Sequence, residues 1–298
     1  MSLMSAGTIE IPDSPGTAFD HGAFEPESRR VFVAHMARDR LEVVDADTNR
    51  HVATLHGFPE AAGVVAGEGR VLVTNRGSAS VVLVDAHTLE TQIVLNTGPR
   101  PNGVAFVSPL HVAVVACIGD ESHKPQLQVL GLEGDRQWSI DLPGRPRWCV
   151  VDAKAERVFL AIREPSMVLV ARLPELNGVQ HWLLPSGGAH GMDINHGAGL
   201  LYVACDGHLL VEVDAESGEM RRDWTLAGVP DATFFNPKSE LVHVAIGDPG
   251  LIQSIDPRTG ASMQFITAAG AKTTALIEPD RLYVFSPLHN GILDLRGA

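Results

Sequence analysis

Short apolar runs recur along the 298-residue chain at nearly regular intervals. Each run is followed, after a short polar turn, by a second apolar run rich in β-branched residues. Runs of this length with partial alternation predict β-strands rather than helices. The first runs begin 40, 41, 46, 43, 41 and 40 residues apart, at Arg30, Arg70, His111, Arg157, Leu200, Leu241 and Arg281. A period near 40 residues is typical of a four-stranded propeller blade.

The second runs and the two chain ends extend this pattern to a complete fold. The second runs begin at Arg40, Ser80, Gln126, Met167, Leu209, Leu251 and Gly291. The seventh copy lacks a last strand, and residues 7–11 match the missing piece. We therefore expect an all-β, seven-bladed β-propeller of four-stranded antiparallel blades, with the N-terminal strand completing the last blade. Residues 1–298 are expected to form one domain.

Aspartates end four of the second apolar runs and are followed by turn residues. These are Asp45, Asp85, Asp214 and Asp256. A carboxylate at this position accepts backbone N–H groups two residues on and closes a hairpin. We expect a structural role for them and no part in catalysis.

The second copy carries a family resemblance. Residues 72–75 (LVTN), 81–85 (VVLVD) and 98–105 (GPRPNGVA) resemble the YVTN β-propeller repeat, with Leu72 where the family has tyrosine. Weaker copies at 202–205 and 283–286 extend the resemblance over nearly the whole chain. It implies a seven-bladed propeller of the surface-layer-like and YncE-like group. That group is described mainly by fold and includes binding and scaffold proteins, so the resemblance implies no reaction.

Composition limits the partners and the compartment. With 23 basic and 36 acidic residues the formal charge is −13, so neither nucleic acid nor an anionic membrane surface is an expected partner. No apolar run is long enough to span a bilayer. The three cysteines show no C-x-x-C spacing and are expected to be reduced. We expect a cytoplasmic protein, with a periplasmic or exported one as the alternative.

Function is expected where the loops between blades reach the mouth of the central channel. Each loop contributes one polar residue in place of a repeated one. The seven residues are His21, Glu60, Asn102, Arg147, His190, Asp231 and Lys272, and Arg100 beside Asn102 is an eighth candidate. Residues just after the first runs would extend the same face: His35, Asn75, Cys117, Arg163, Cys205 and His289.

Two classes of function fit this mixture of side chains. A binding or interaction propeller would use Arg147 and Lys272 to hold a carboxylate or phosphate of a small polar or anionic molecule, or would bind a protein partner. A small-molecule enzyme, a lyase or lactone hydrolase, would use His190 and Asp231 as a general base and its partner. No nucleotide-binding or serine-hydrolase motif is present. Whether the protein is an enzyme stays open, and solvated polar loops without a ligand would give the same pattern.

Metal binding is the alternative to a site without a cofactor. His21, Glu60, His190 and Asp231 are competent ligands of a divalent metal. No H-x-H or H-x-x-E spacing brings them together in sequence. We therefore predict no metal ligands and no cofactor, and keep a divalent metal as the less favoured alternative.

Overall fold

The computed structural model describes residues 3–14, 16, 18–277, 281–286, 288 and 291–297. The described chain forms seven four-stranded antiparallel sheets, the fold of a seven-bladed β-propeller, as the repeat predicts. Two compact units can be distinguished, one of residues 18–183 and one of residues 1–17 with 184–298. No helix in the described ranges is long and apolar enough to cross a membrane. The single domain over residues 1–298 stays a prediction.

The unit of residues 18–183 contains four blades. Each blade follows chain order from its first to its fourth strand: blade 1 is β2 (Gly22–Glu25), β3 (Arg30–His35), β4 (Arg40–Asp45) and β5 (Arg50–His56); blade 2 is β6 (Ala61–Gly67), β7 (Arg70–Asn75), β8 (Ser80–Asp85) and β9 (Thr91–Asn96); blade 3 is β10 (Pro101–Val107), β11 (Val112–Cys117), β12 (Gln126–Gly131) and β13 (Gln137–Asp141); blade 4 is β14 (Pro146–Asp152), β15 (Arg157–Ile162), β16 (Met167–Arg172) and β17 (Asn177–Leu183). Three short 3-10 helices lie in its loops, at Met36–Arg38, Arg76–Ser78 and Ser108–Leu110.

The other unit contains three blades. Their strands are β18 (Ala189–Asn195), β19 (Leu200–Cys205), β20 (Leu209–Asp214) and β21 (Met220–Thr225) in blade 5; β22 (Pro230–Asn236), β23 (Leu241–Ile246), β24 (Leu251–Ile255) and β25 (Ser262–Ile266) in blade 6; and β26 (Thr273–Ile277), β27 (Arg281–Ser286), β28 (Gly291–Gly297) and β1 (Leu3–Glu10) in blade 7. β1 pairs antiparallel with β28. The N-terminal strand therefore completes the last blade, as predicted.

The strand starts agree with the apolar pattern except in blade 3. There the strand begins at Val112, one residue after the predicted His111. His111 has φ of 51° and ends the short helix before the strand. A left-handed backbone cannot continue a β ladder, so the strand begins with the next residue.

Apolar side chains are buried between neighbouring blades rather than in one central core. Phe32 and Leu41 of blade 1 pack with Val71 and Val73 of blade 2, and all four are fully buried. An equivalent cluster lies between blades 5 and 6. Within each unit the first strands of successive blades also contact one another. A blade is thus buried on both faces, which explains why its middle strands read as continuous apolar runs.

The aspartates at the ends of four of the third strands have the predicted structural role. Asp45 Oδ1 accepts the backbone N–H groups of Asp47 at 3.1 Å and Thr48 at 2.7 Å. These bonds, from Thr48 first, lower the pKa of Asp45 below its usual value. The same pair of turn bonds occurs at Asp85, Asp214 and Asp256.

Candidate functional site

Five first strands carry one extra residue near their beginning. In β10, Pro101 pairs with Cys117 and Val104 pairs with Val115, so three steps on one strand face two on the other. The same shift occurs at the start of β6, β14, β18 and β22. A β-bulge of this kind turns a side chain away from the regular alternation. The bulge therefore marks one position in each of these five blades. We call the residue at this position, or at the equivalent position of the other two blades, the bulge residue.

Most sequence candidates occupy this position. The bulge residues of β6, β10, β14, β18 and β22 are Ala62, Asn102, Arg147, His190 and Asp231. In blade 7, Thr274 pairs with Val284, two residues before the end of β27. Val104 has the same relation to β11, so Lys272 is the equivalent of Asn102.

Three candidates lie elsewhere. Glu60 and Arg100 are exposed turn residues with φ of 50° and 54°, two residues before Ala62 and Asn102. In blade 1, Gly22 pairs with Val33 in the way that Val104 pairs with Val115. The equivalent residue of this blade is therefore Asp20, and His21 is one step further along. Binding roles for Glu60, Arg100 and His21 stay predictions.

In the four-blade unit Arg76 connects the bulge residues of its neighbours. Its Nη2 donates to Asp20 Oδ2 at 2.9 Å and to Asn102 Oδ1. Asn102 is 3% exposed, and its Nδ2 donates to the carbonyl oxygen of Arg147 at 3.2 Å. Arg76 follows β7 directly and extends over the position where blade 2 has only Ala62. One guanidinium thus joins residues of three blades.

His21 closes this set of contacts. Its Nδ1 lies 2.9 Å from Asp20 Oδ1 and 3.2 Å from the carbonyl oxygen of Ala62. Its ring meets the Trp148 ring edge-on, with centroids 4.3 Å apart. Because Trp148 follows Arg147, contacts run from blade 1 through blades 2, 3 and 4 and back to blade 1. Polar groups of His21 and Asn102 are consequently engaged within the protein.

In the three-blade unit the bulge residues and Asp206 form a chain of neighbouring ionisable side chains. His190 Nδ1 lies 2.7 Å from Asp206 Oδ1, and His190 Nε2 lies 3.5 Å from Asp231 Oδ1. Asp231 Oδ2 lies 3.3 Å from Lys272 Nζ. His190 is 9% exposed, whereas the side chain of Lys272 is 56% exposed. The chain therefore runs from an enclosed imidazole to an accessible ammonium, across three successive blades.

Glycines make this geometry sterically possible. The end of the loop before β18 and the start of β18 read Ser-Gly-Gly-Ala-His-Gly over residues 186–191. A Cβ on Gly188 would lie 2.6 Å from Asp206 Cβ, and one on Gly191 would lie well inside 3.0 Å of the carbonyl oxygen of Asp231. The Asp206 N–H also donates to the Gly188 carbonyl at 2.8 Å. The two loops can approach only because these positions lack a side chain.

The same close approach recurs in the four-blade unit. A Cβ on Gly103 would lie 2.7 Å from the carbonyl oxygen of Arg147, and one on Gly63 would overlap the carbonyl oxygen of Asn102. That carbonyl also accepts a hydrogen bond from Thr74 Oγ1 at 2.9 Å. The main chain of a bulge residue is thus held by the preceding blade.

Sequence reasoning missed four residues that make these contacts: Asp20, Arg76, Trp148 and Asp206. Arg76 and Asp206 come directly after Asn75 and Cys205, which the sequence had marked as possible extensions of the site. Asn75 and Cys205 are buried, and it is the next residue that reaches the bulge residues. A search one step beyond the strand end would have found both charged groups.

His35, a further extension candidate, is fully buried. Its Nδ1 lies 2.9 Å from Glu42 Oε1, and Glu42 Oε2 lies 2.9 Å from His51 Nε2 and accepts from Thr54 Oγ1 at 2.6 Å. Burial raises the pKa of Glu42, but the hydrogen bonds from His35, His51 and Thr54 outweigh it and hold the pKa at about 2. This cluster stabilises blade 1 internally. Cys117 is also buried, and His289 lies outside the described residues.

The candidate metal ligands do not come together as one site in the described part of the chain. No group of three or more histidine, cysteine, aspartate or glutamate side chains there could hold a metal ion. Of the four residues named from sequence, His190 and Asp231 are neighbours in the three-blade unit, and His21 and Glu60 belong to the four-blade unit. A site without a metal or cofactor stays a prediction.

Comparison with known proteins supports the fold. No family model and no curated protein matches the chain. A solved structure of hydrazine synthase from Kuenenia stuttgartiensis is similar over 99% of this chain and 99% of that one, with a TM-score of 0.82 and 14% sequence identity. At that identity the likeness concerns the fold alone. The class that fold and comparison define is the seven-bladed β-propeller.

Proposed function

We propose that the protein is a binding propeller, similar to the YVTN-repeat group, that holds a small polar or anionic molecule at its bulge residues. The observation that carries this proposal is the chain Asp206, His190, Asp231 and Lys272, which joins three blades through ionisable side chains. Such a chain costs desolvation free energy, because it holds mutually dependent ionisable groups in partly buried positions, and a binding role accounts for that cost.

Lys272 is the group of this chain that a ligand can reach. An ammonium has three N–H donors, and among the described residues its ion-pair partner is Asp231. The remaining donors suit a carboxylate or phosphate oxygen. Arg147, half-buried at the bulge of β14, is the corresponding cation of the four-blade unit. The ligand is therefore expected to carry a negatively charged group.

A thermal-shift screen of metabolites tests this proposal. Lys272→Ala and Arg147→Ala are compared with the wild type, singly and together. Lys238→Ala is the matched control, because Lys238 is an exposed lysine in the turn between β22 and β23. We expect each site variant to lose the stabilising effect of the anionic compounds that bind in its own unit, and the control to keep every effect. An identical set of hits in the double variant and the wild type would contradict the proposal.

A small-molecule enzyme, a lyase or lactone hydrolase, is the second candidate. The 2.7 Å contact between Asp206 and His190 Nδ1 favours it, because a carboxylate at Nδ1 orients an imidazole for general-base work at Nε2. A lactone-hydrolysis assay with wild type, His190→Gln and the exposed control His196→Gln decides between the two. Turnover that is lost only in His190→Gln would favour the enzyme. Equal background in all three would leave the binding protein.

The proposed setting is the cytoplasm, without nucleic acid or membrane as partner. The three cysteines are buried and none of them forms a disulfide, which suits a reducing compartment. The formal charge of −13 disfavours polyanionic partners. A protein partner is the alternative to the small ligand. We expect the same Lys272→Ala and Arg147→Ala substitutions to weaken its binding.

A further inference from the structure

The accessible end of the side-chain series Asp206, His190, Asp231 and Lys272 presents one positive and one negative group. Lys272 Nζ and Asp231 Oδ2 lie 3.3 Å apart, with side chains 56% and 14% exposed. His190 lies behind Asp231 and Asp206 lies behind His190. The surface that a ligand meets is therefore an ammonium with a carboxylate directly beside it.

The carboxylate is fixed in place. One oxygen of Asp231 faces His190 and the other faces Lys272. Its main chain is confined as well, because the Asp231 carbonyl packs against Gly191. Rotation of the Asp231 side chain away from a ligand at Lys272 would give up both of these contacts. Each carboxylate oxygen still has lone-pair capacity for a further donor.

This arrangement distinguishes ligands by their charge pattern. A simple anion at Lys272 comes within a few ångströms of the Asp231 carboxylate, and repulsion there offsets part of the attraction. A simple cation at Asp231 meets the reverse problem at Lys272. A ligand with a carboxylate and an ammonium a few ångströms apart satisfies both groups and meets neither repulsion.

We infer that the Lys272–Asp231 pair binds a small zwitterion of the α-amino-acid class. The inference rests on the proposed function and narrows it from anionic or polar molecules to those carrying both charges. The ligand carboxylate pairs with Lys272 and the ligand ammonium donates to Asp231. His190 holds Asp231 in position and does not contact the ligand.

Three small probes that differ in the charged groups they carry test the charge pattern on the full chain. L-Alanine carries both groups, propionate lacks the ammonium, and ethylammonium lacks the carboxylate. Binding is followed by nuclear magnetic resonance at constant ionic strength, through the backbone amides of residues 190–191, 231–232 and 272–273. We expect L-alanine to bind at least tenfold more tightly than either analogue.

Variants assign the preference to the pair. Lys272→Met keeps most of the apolar stem, and Asp231→Asn keeps the shape of the carboxylate, so each removes mainly a charge. Both should lose the tenfold preference, whereas Lys238→Ala should keep it. A thermal melt of each variant confirms that it is folded, and Lys272→Met alone decides the matter if Asp231→Asn does not fold.

The outcomes separate this inference from the proposed function. Propionate binding as tightly as L-alanine, with loss in Lys272→Met, would overturn the zwitterion and retain an anion site. Ethylammonium binding as tightly as L-alanine would overturn both. The absence of binding by all three probes would overturn the zwitterion, and the metabolite screen would then judge the proposed function independently.

Discussion

Replacing Gly191 with alanine should damage both stability and the site. A Cβ there would lie 2.6 Å from Thr233 Oγ1 and closer still to the carbonyl oxygen of Asp231, whereas real Cβ atoms essentially never come within 3.0 Å. Thr233 would have to move by about 0.4 Å (3.0 − 2.6) and the Asp231 main chain by more. The Asp231 oxygen belongs to the main chain, and the Thr233 side chain is fully buried and rotates about a single torsion. We expect a loss of about 3 kcal/mol, the upper part of the range for overpacked interiors.

Gly187→Ala is the matched control four residues earlier. Gly187 is exposed, and a Cβ there would meet nothing within 4 Å. Its backbone is not left-handed, so alanine should leave stability unchanged or raise it by up to about 1 kcal/mol through the unfolded state. The two variants therefore change the same residue type in one loop with opposite expected effects.

Urea unfolding followed by circular dichroism measures the difference in free energy. L-Alanine titration of Gly191→Ala then reports whether the shift of Asp231 reaches the site. Equal unfolding midpoints for Gly191→Ala and Gly187→Ala would refute the idea that the bulge depends on a missing Cβ.

Three further predictions concern buried groups. Burial raises the pKa of Asp193 to about 6, so its contribution to stability is present below pH 4 and is lost as pH rises through 6. The free energy of unfolding of Asp193→Asn, measured in urea, should therefore rise relative to that of the wild type by up to about 3 kcal/mol between pH 4 and 8. Parallel pH profiles of the two proteins would contradict this. Glu42 has the opposite pH dependence, because its pKa of about 2 means that its contribution to stability is present above pH 4.5 and is lost as pH falls through 2. Glu42→Gln should lower the free energy of unfolding by about 3 kcal/mol at pH 7 and by progressively less toward pH 2. A constant loss at all pH values would count against this reasoning. Burial raises the thiol pKa of Cys117 and Cys149 to about 12, so both should resist iodoacetamide at pH 8 in the folded protein and react in urea, as mass spectrometry would show.

The strand pattern could be predicted because it is set by local chemistry that repeats. Apolar runs buried between blades keep their composition from copy to copy, so the starts at Arg30, Arg70 and Arg157 coincide with strands. His111 is the exception, since its left-handed backbone depends on the short helix before it. Backbone handedness at one residue leaves no mark in a hydrophobic period.

The candidate site was only partly predictable because bulges are a property of strand pairing. Asn102 and His190 could be identified since a polar residue stands where the bulge falls. In blade 2 the bulge residue is Ala62, which is not polar, so the sequence pattern indicates the nearest ionisable residue, Glu60, in its place. Arg76 was missed for a related reason: its importance comes from spanning the neighbours of an alanine, which requires the packing of three blades to recognise.

The main chain and the side chain of a bulge residue have different roles. Its carbonyl is enclosed by the preceding blade, as at Asn102, Arg147 and Asp231, while its side chain varies among the blades. Mutation can consequently exchange recognition chemistry one blade at a time without redesigning the backbone that presents it. A saturation library at positions 62, 102, 147, 190, 231 and 272 would then sample new ligand specificities on a constant scaffold. Gene duplication followed by drift at the same codons gives evolution the same route.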